Sequence, residues 1–291
     1  MLICRTIKDY KSFLSSHRGN QSIGFIPTMG YLHEGHLSLV QQSKLETDVT
    51  VMSVFVNPLQ FGPNEDFKRY PRNESRDLEM MEQAGVDVVF LPTTEEMYPN
   101  NLRTKVCVHE ITERMCGTTR IGHFDGVATV VLKLFQIIQP TLAYFGLKDA
   151  QQVAVIEQMV YDLNLNVKIV PCQTIREEDG LAKSSRNVYL SNDERMQASI
   201  LYRTLQQLDV WMKQNPHMNA IQLEQNIKKM INENSCGIIE YAEVLSYPNL
   251  QTMDGPVSVQ EAIIVGLAVK FGNTRLIDNR IFYNRRKNLE V

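Results

Sequence analysis

Short apolar runs alternate with longer amphipathic ones through the first two thirds of the chain. Residues 23–28 (IGFIPT) are nearly all apolar, 50–55 are rich in Thr, Val and Phe, and 86–91, 142–146 and 167–170 repeat the pattern. Runs of this length, β-branched and bounded by turn residues, predict buried strands. Helical segments lie between them: 36–45, a helix capped by Asn73 that runs to Ala84 with Gly85 as its stop, 127–138 ended by Pro140, and 150–161. Strands separated by helices imply parallel βαβ units with right-handed crossovers. Strands without polar alternation fit a sheet covered on both faces. The expectation for residues 1–186 is therefore a doubly wound, Rossmann-like parallel sheet with ligands at the C-terminal ends of its strands.

The pattern changes after Asn187. Ser191 and Glu194 form a capping box before a long amphipathic helix that reaches Gln214. A second helix covers 221–232, and strand-like runs follow at 238–245, 262–269 and 274–282. Helices followed by consecutive strands predict a smaller α+β domain over 187–291.

Composition narrows the class. The chain has 291 residues, 43% hydrophobic and 22% charged, the balance of a soluble globular protein with a sizeable core. A formal net charge of −3 speaks against a nucleic-acid binder, which needs a basic surface. Cys4, Cys107, Cys116, Cys172 and Cys236 are scattered and include no C-x-x-C pair, so reduced thiols in a cytoplasmic protein are expected, with neither a disulfide framework nor a structural zinc site. Charged residues interrupt the N-terminal stretch too early for a signal peptide, and no apolar run approaches the roughly 20 residues that span a bilayer, so no membrane association is expected.

Four segments carry candidate chemistry. PTMGYLHEGH (27–36) follows a strand and opens a helix, where free N–H groups and the positive dipole end favour phosphate. Gly30 allows close backbone approach. His33 and His36, three apart, can face one direction and offer imidazole donors to phosphate oxygens. Taken alone such a pair is more often a surface feature, and two metal ligands are a further reading although H-E-x-x-H spacing is absent; the strand-to-helix context raises the nucleotide reading above both. In VFVNPLQFGPNEDF (54–67), Asn57 and Gln60 are neutral hydrogen-bonding groups suited to a small hydroxy acid, or else ordinary turn residues. In YFGLKDAQQ (144–152), Lys148 can reach phosphate as a compact charge. There Asp149 can accept from ribose hydroxyls or cap the helix, and Gln152 lies one turn on. REEDGLAKSSRNVYLS (176–191) places Lys183, Ser184, Ser185 and Arg186 on a loop suited to closing over a transferring phosphate, or to linking two domains.

In this order and spacing, the segments resemble the pantoate–β-alanine ligase family. The first is similar to the HIGH signature, and the fourth to the KMSKS loop, of the adenylate-forming superfamily that includes class I aminoacyl-tRNA synthetases. The phrases PTMGYLHEGH, FVNPLQFGPNEDFKRYPR, GHFDGVATVVLKLFQI, DGLAKSSRN and AVKFGNTRLIDN carry the resemblance over residues 1–285. It implies an enzyme that activates pantoate with ATP as pantoyl-adenylate, assisted by Mg2+, and passes the acyl group to β-alanine, in a homodimer. It assigns ATP contacts to Met29, Gly30, Tyr31, Leu32, His33, Glu34, Gly35, His36, Gly146, Leu147, Lys148, Asp149, Ile175, Lys183, Ser184, Ser185 and Arg186. Gln60 and Gln152 would hold pantoate, with Asn57 beside them. His36, His33 and Lys148 would be the catalytic groups, and no residue is assigned as a metal ligand. Three positions depart from the family pattern: Tyr31 where a small residue is usual, Leu147 where an acidic one is frequent, and Lys183 where an apolar one is frequent. Other readings are a nucleotidyltransferase of the same fold acting on a phosphate ester, and a nucleotide-binding protein without turnover.

Overall fold

A computed structural model describes residues 1–16, 21–63 and 65–283, so residues 284–291 of the expected second domain lie outside it. In chain order the strands and helices are β1 (Leu2–Cys4), α1 (Ile7–Ser16), β2 (Ile23–Thr28), α2 (Glu34–Glu46), β3 (Val49–Val54), α3 (Glu74–Gln83), β4 (Val88–Phe90), α4 (Thr94–Met97), α5 (Cys116–Thr119), α6 (His123–Ile138), β5 (Leu142–Gly146), α7 (Ala150–Asp162), β6 (Lys168–Cys172), α8 (Asn192–Ala198), α9 (Ile200–Gln214), α10 (Ala220–Asn234), β7 (Ile238–Ser246), β8 (Ala262–Phe271) and β9 (Thr274–Tyr283). They divide into two compact units, one of Met1–Val108, Arg120–Leu147 and Val155–Ile175, the other of His109–Thr119, Lys148–Ala154 and Arg176–Val291.

The first unit is built on a six-stranded sheet in the order β1-β4-β3-β2-β5-β6, parallel throughout. Alternate residues of β2 serve its two faces. The Phe25 ring meets Phe135 of α6 edge-on, with centroids 6.4 Å apart, while Ile26 joins Leu39 and Val40 of α2 and Met81 of α3 in the opposite core. Each such side chain, removed entirely from water, contributes about 1.5–3 kcal/mol. This explains why the strands read as unbroken apolar runs. β2 pairs with β3 on one side and β5 on the other, so the chain order reverses between β2 and β5. At such a reversal the loops leaving the strand ends diverge and open a crevice for ligand.

The second unit carries an antiparallel sheet, β7-β8-β9, whose core includes Leu205 and Leu208 of α9, Leu223 and Ile227 of α10, and Val265 and Leu267 of β8. The helix expected to reach Gln214 is two helices. Both halves of the Ser191–Glu194 capping box form, but the Ser199 amide turns to the Gln197 carbonyl, ending α8 before α9 starts. α6 begins at His123, four residues before the apolar run suggested, because Gly122 takes a left-handed conformation (φ 78°) as its cap. β1 and α1 were not expected. β1 is only three residues long, and its place is set by pairing with β4.

Candidate active site

The loop between β2 and α2 is shaped by groups close at hand. The Thr28 hydroxyl donates to the Ser53 carbonyl at 2.7 Å, and the Gly30 N–H points back at that hydroxyl at 3.3 Å. Gly30 sits at φ +81°, and a Cβ there would meet Val54 Cγ1 at 2.9 Å and Asp77 Oδ2 at 3.0 Å. Tyr31 follows at φ 51°, a left-handed conformation that costs a non-glycine residue about 1–3 kcal/mol unless its surroundings enforce it. Asp77 of α3 does so. Only 2% exposed, it accepts the Tyr31 N–H at 2.7 Å and the Leu32 N–H at 2.8 Å. Arg76 beside it donates to the Leu32 carbonyl at 2.9 Å and lies over the Tyr31 ring, 5.4 Å from its centroid. The bulky residue at this unusual position thus has a stacking partner on α3. Asp77 and Arg76 escaped the sequence reading, which took the α3 segment only as a capped helix.

His33 is the N-cap of α2. Its Nδ1 accepts the Gly35 N–H at 3.2 Å, and Nδ1 of His36 accepts the His33 N–H at 3.3 Å. The rings lie 4.0 Å apart at 34°. A neutral imidazole that accepts at Nδ1 carries its proton on Nε2. The reciprocal capping therefore makes both rings Nε2–H donors, side by side at a helix N-terminus. Glu34 is exposed and Gly35 half-buried on the first turn of the same helix.

Gln60 ends a short 3-10 turn, Pro58–Gln60, packed under α6. The approach is close enough that a Cβ on Gly126 would meet the Leu59 carbonyl oxygen at 2.3 Å. Asn57, 1% exposed, directs the amide of Gln60. Its Nδ2 donates to Gln60 Oε1 and to the Gly126 carbonyl, both at 3.1 Å, and its Oδ1 accepts the Leu59 N–H at 3.3 Å and the Tyr98 hydroxyl at 2.9 Å. With Oε1 engaged, Gln60 presents Nε2 as its donor, 3.3 Å from Met29 Sδ. The backbone of Gln60 is held as firmly. The guanidinium of Arg120 donates to the Nε2 of His123 at 2.9 Å, which leaves the proton on Nδ1, and Nδ1 donates to the Gln60 carbonyl at 2.8 Å. Arg120 also grips Glu65 through two bonds of 2.8 and 2.6 Å. Burial pushes the Glu65 carboxyl up, but the hydrogen bond and charge of Arg120, with His123 adding, hold it below the usual range. The sequence signal for these supports was the phrase GHFDG, to which no role was given.

Gly146 ends β5 and Leu147 follows it, both half-buried, and Ile175 is half-buried at the end of the first unit. In the second unit Lys148 lies on the 3-10 turn Leu147–Asp149, its side chain 20% exposed and its Nζ 4.0 Å from Asp149. Gln152, half-buried, follows Gln151, whose side chain ties the start of α7 to Cys116, Ile111 and Arg114. On the loop, Lys183 pairs with Glu177 at 3.5 Å, and the Ser184 side chain caps a 3-10 turn by accepting the Arg186 N–H at 3.3 Å, with Ser185 buried. The structure thus joins Gln60 to Met29 and His33 to His36 within the first unit, while Lys148, Asp149, Gln152 and 183–186 belong to the second.

A chain reversal at the strand ends, a helix N-terminus bearing two oriented imidazoles and a fixed amide donor define a nucleotide-using α/β enzyme. The sequence pattern of the pantoate–β-alanine ligase family matches residues 2–281. Pantothenate synthetases of Caldicellulosiruptor saccharolyticus and Halalkalibacterium halodurans are 52% identical over 281 residues and 51% over 286, covering 96% and 97% of this chain and 98% of each of theirs. The crystal structure of pantothenate synthetase from Thermus thermophilus superimposes with a TM-score of 0.89 at 41% identity, over 96% of this chain and 99% of that one. The Francisella tularensis pantoate–β-alanine ligase, crystallised with a β,γ-ATP compound and β-alanine, gives 0.79 at 37% identity over 98% of both chains. This chain belongs to the pantoate–β-alanine ligase family, and its reaction is the ATP-dependent condensation of pantoate with β-alanine.

Proposed function

We propose that the reaction runs in two steps and that the residues above divide the work. A pantoate carboxylate oxygen attacks the α-phosphorus of ATP, the bond to the bridging oxygen breaks, and pyrophosphate leaves. The β-alanine amine then attacks the acyl carbon of pantoyl-adenylate, loses a proton, and expels AMP. A carboxylate nucleophile has no proton to give up, so the first step calls for alignment and charge stabilisation rather than a base. The paired imidazoles carry this reading. Their Nδ1 atoms accept from backbone amides, which places the proton of each neutral ring on Nε2, and in this reading His33 and His36 donate from there to oxygens gaining charge in the transition state. Lys148 adds a compact positive charge, and Lys183, Ser184, Ser185 and Arg186 add donors on a loop. Gly30 and Gly35 let the phosphates approach the start of α2. Met29, Tyr31, Leu32, Glu34, Gly146, Leu147, Asp149 and Ile175 complete the nucleotide's surroundings.

Gln60 Nε2 and Gln152 hold pantoate, and Asn57 acts through Gln60 because its own amide is committed within the protein. The described residues contain no cluster of three metal-ligating side chains. The family likeness supports a Mg2+ ion in the reaction, which would neutralise phosphate charge when bound. The family likeness further supports a cytoplasmic homodimer, which sedimentation velocity would test. No helix among the described residues is long and apolar enough to cross a membrane.

The deciding measurement omits β-alanine. ATP and pantoate alone should release close to one equivalent of pyrophosphate per site, and AMP should follow only when β-alanine is added. Release of ADP and phosphate under any of these conditions would rule out an adenylate.

A further inference from the structure

Two neighbouring residues on β9 touch no reacting group in the scheme above, yet each holds one of the phosphate-facing segments of the second unit. Asp278, 2% exposed, accepts from Arg176 through both carboxylate oxygens, at 2.6 and 2.9 Å. Arg176 opens the loop that carries Lys183 to Arg186. Its Nη1 also donates to the Gly180 carbonyl at 2.9 Å, and its guanidinium lies 4.7 Å from the centroid of Tyr202. Gly180 is bound to that geometry, since its φ is +88° and a Cβ there would meet Tyr202 Cδ1 at 1.8 Å. One planar fork thus fixes both the start of the loop and its turn to β9. The next residue reaches elsewhere. Asn279 Nδ2 donates to the backbone carbonyl of Lys148 at 2.8 Å, and the Asn279 N–H donates to Asp278 Oδ1 at 2.8 Å.

Side chains of successive strand residues project to opposite faces. This single dipeptide therefore reaches two segments, 102 and 131 residues away in the chain. We propose that Asp278 and Asn279 are positioning residues for adenylation, setting the spacing between the Lys148 turn and the loop of Lys183–Arg186 through one peptide unit. The proposal rests on the role given above to Lys148. A displacement of about 1 Å in a charge-stabilising group is enough to cost on the order of 100-fold in rate. Lys148 has a flexible stem, so the place of its carbonyl governs where the ammonium can reach.

The test separates the two half-reactions. Exchange of labelled pyrophosphate into ATP, with pantoate present, reports adenylation, and amide formation from supplied pantoyl-adenylate reports the second step. Asn279→Leu keeps the size of the side chain and removes the donor. It should slow exchange about tenfold, leave the KM values for ATP and pantoate within about twofold, and leave both amide formation and Tm close to the parent. Asn279→Gln, which retains an amide, should recover part of the exchange rate. Asp278→Asn, which weakens the fork, should slow exchange at least as much as Asn279→Leu. Lys148→Ala is run alongside. If it leaves exchange intact, the reading of Lys148 falls. If it abolishes exchange while Asn279→Leu and Asp278→Asn both match the parent, only the inference from β9 falls. Equal losses in both half-reactions with a lowered Tm would make the pair merely structural and also overturn it. Should Asn279→Leu fail to fold, the same readings on Asn279→Gln and Asp278→Asn decide the matter.

Discussion

The β2–α2 loop of the first unit and the loop that starts at Arg176 in the second are held in opposite ways. The first organises itself. His33 and His36 cap one another's turn within three residues, Gly30 leans on Thr28, and the longest reach is 46 residues, from Tyr31 to Asp77. The second depends on a strand near the far end of the chain, through Arg176 to Asp278 and Lys148 to Asn279. The difference teaches where each part is vulnerable. The first turn is held mostly by residues next to it in the chain, whereas the second part adds to its local bonds a tie to the antiparallel sheet.

The sharpest way to break the comparison is at His36, where capping and chemistry share one ring. His36→Ala removes both the acceptor for the His33 N–H and the Nε2 donor, and should lower kcat about 100-fold or more, with ATP binding little changed. His36→Asn separates the two roles, because an asparagine oxygen can take the place of Nδ1 while nothing replaces Nε2–H. Steady-state kinetics with Tm should show kcat as low as in the alanine variant and the stability recovered. A normal kcat in either variant would remove His36 from the chemistry.

Asp77→Asn probes the longest tie of the first loop. The substituted amide can accept at a single oxygen, so one of the buried N–H groups of Tyr31 and Leu32 loses its partner. Leaving such a group unmatched costs about 1–3 kcal/mol. We expect a lower Tm and a KM for ATP raised about tenfold, both measurable on purified protein. An unchanged KM would mean that the loop keeps its shape without the second carboxylate acceptor.

The reach of each contact also explains how much could be read beforehand. The apolar runs of β2, β3 and β5 were legible because burial on both faces leaves a plain compositional mark. The Ser191 capping box was legible because it closes within three residues. His33 and His36 stood out for the same reason. Asp77, Arg120, Tyr98 and Asn279 did not, because each works through partners 41 to 131 residues away, and an isolated aspartate or tyrosine in a helix or loop announces nothing. Residues 109–119 and 148–154 group with the second unit although they interrupt the first in sequence, a feature no local pattern encodes. The phrases GHFDG and LIDN marked these places without revealing their work.

A smaller effect is expected where the support is one bond removed from the ligand. Tyr98→Phe deletes the hydroxyl that donates to Asn57 Oδ1 at 2.9 Å, while the Leu59 N–H still holds that oxygen. The amide of Asn57 then turns more easily, and with it the amide of Gln60. The KM for pantoate should rise about three- to tenfold, in keeping with the loss of one ordinary hydrogen bond, with the KM for ATP unmoved. Equal changes in both constants would show a general loosening instead of a specific one.

The mildest test uses pH, and asks whether the first unit has a long-range tie of its own beneath Gln60. Glu65 and Arg120 are 55 residues apart, and the carboxyl of Glu65 is held below its ordinary range. A group with a depressed folded pKa stabilises the protein above its unfolded pKa, about 4.3 for glutamate, and the contribution fades as pH falls through the folded value. Glu65→Gln should therefore lie below the parent in Tm at pH 7, where Arg120 loses its charged partner. The gap should narrow as the pH drops below about 4 and the parent's own carboxylate takes up its proton. Thermal melts from pH 7 to pH 3 would follow this convergence. A constant gap would show that the side chain matters for shape and not for charge.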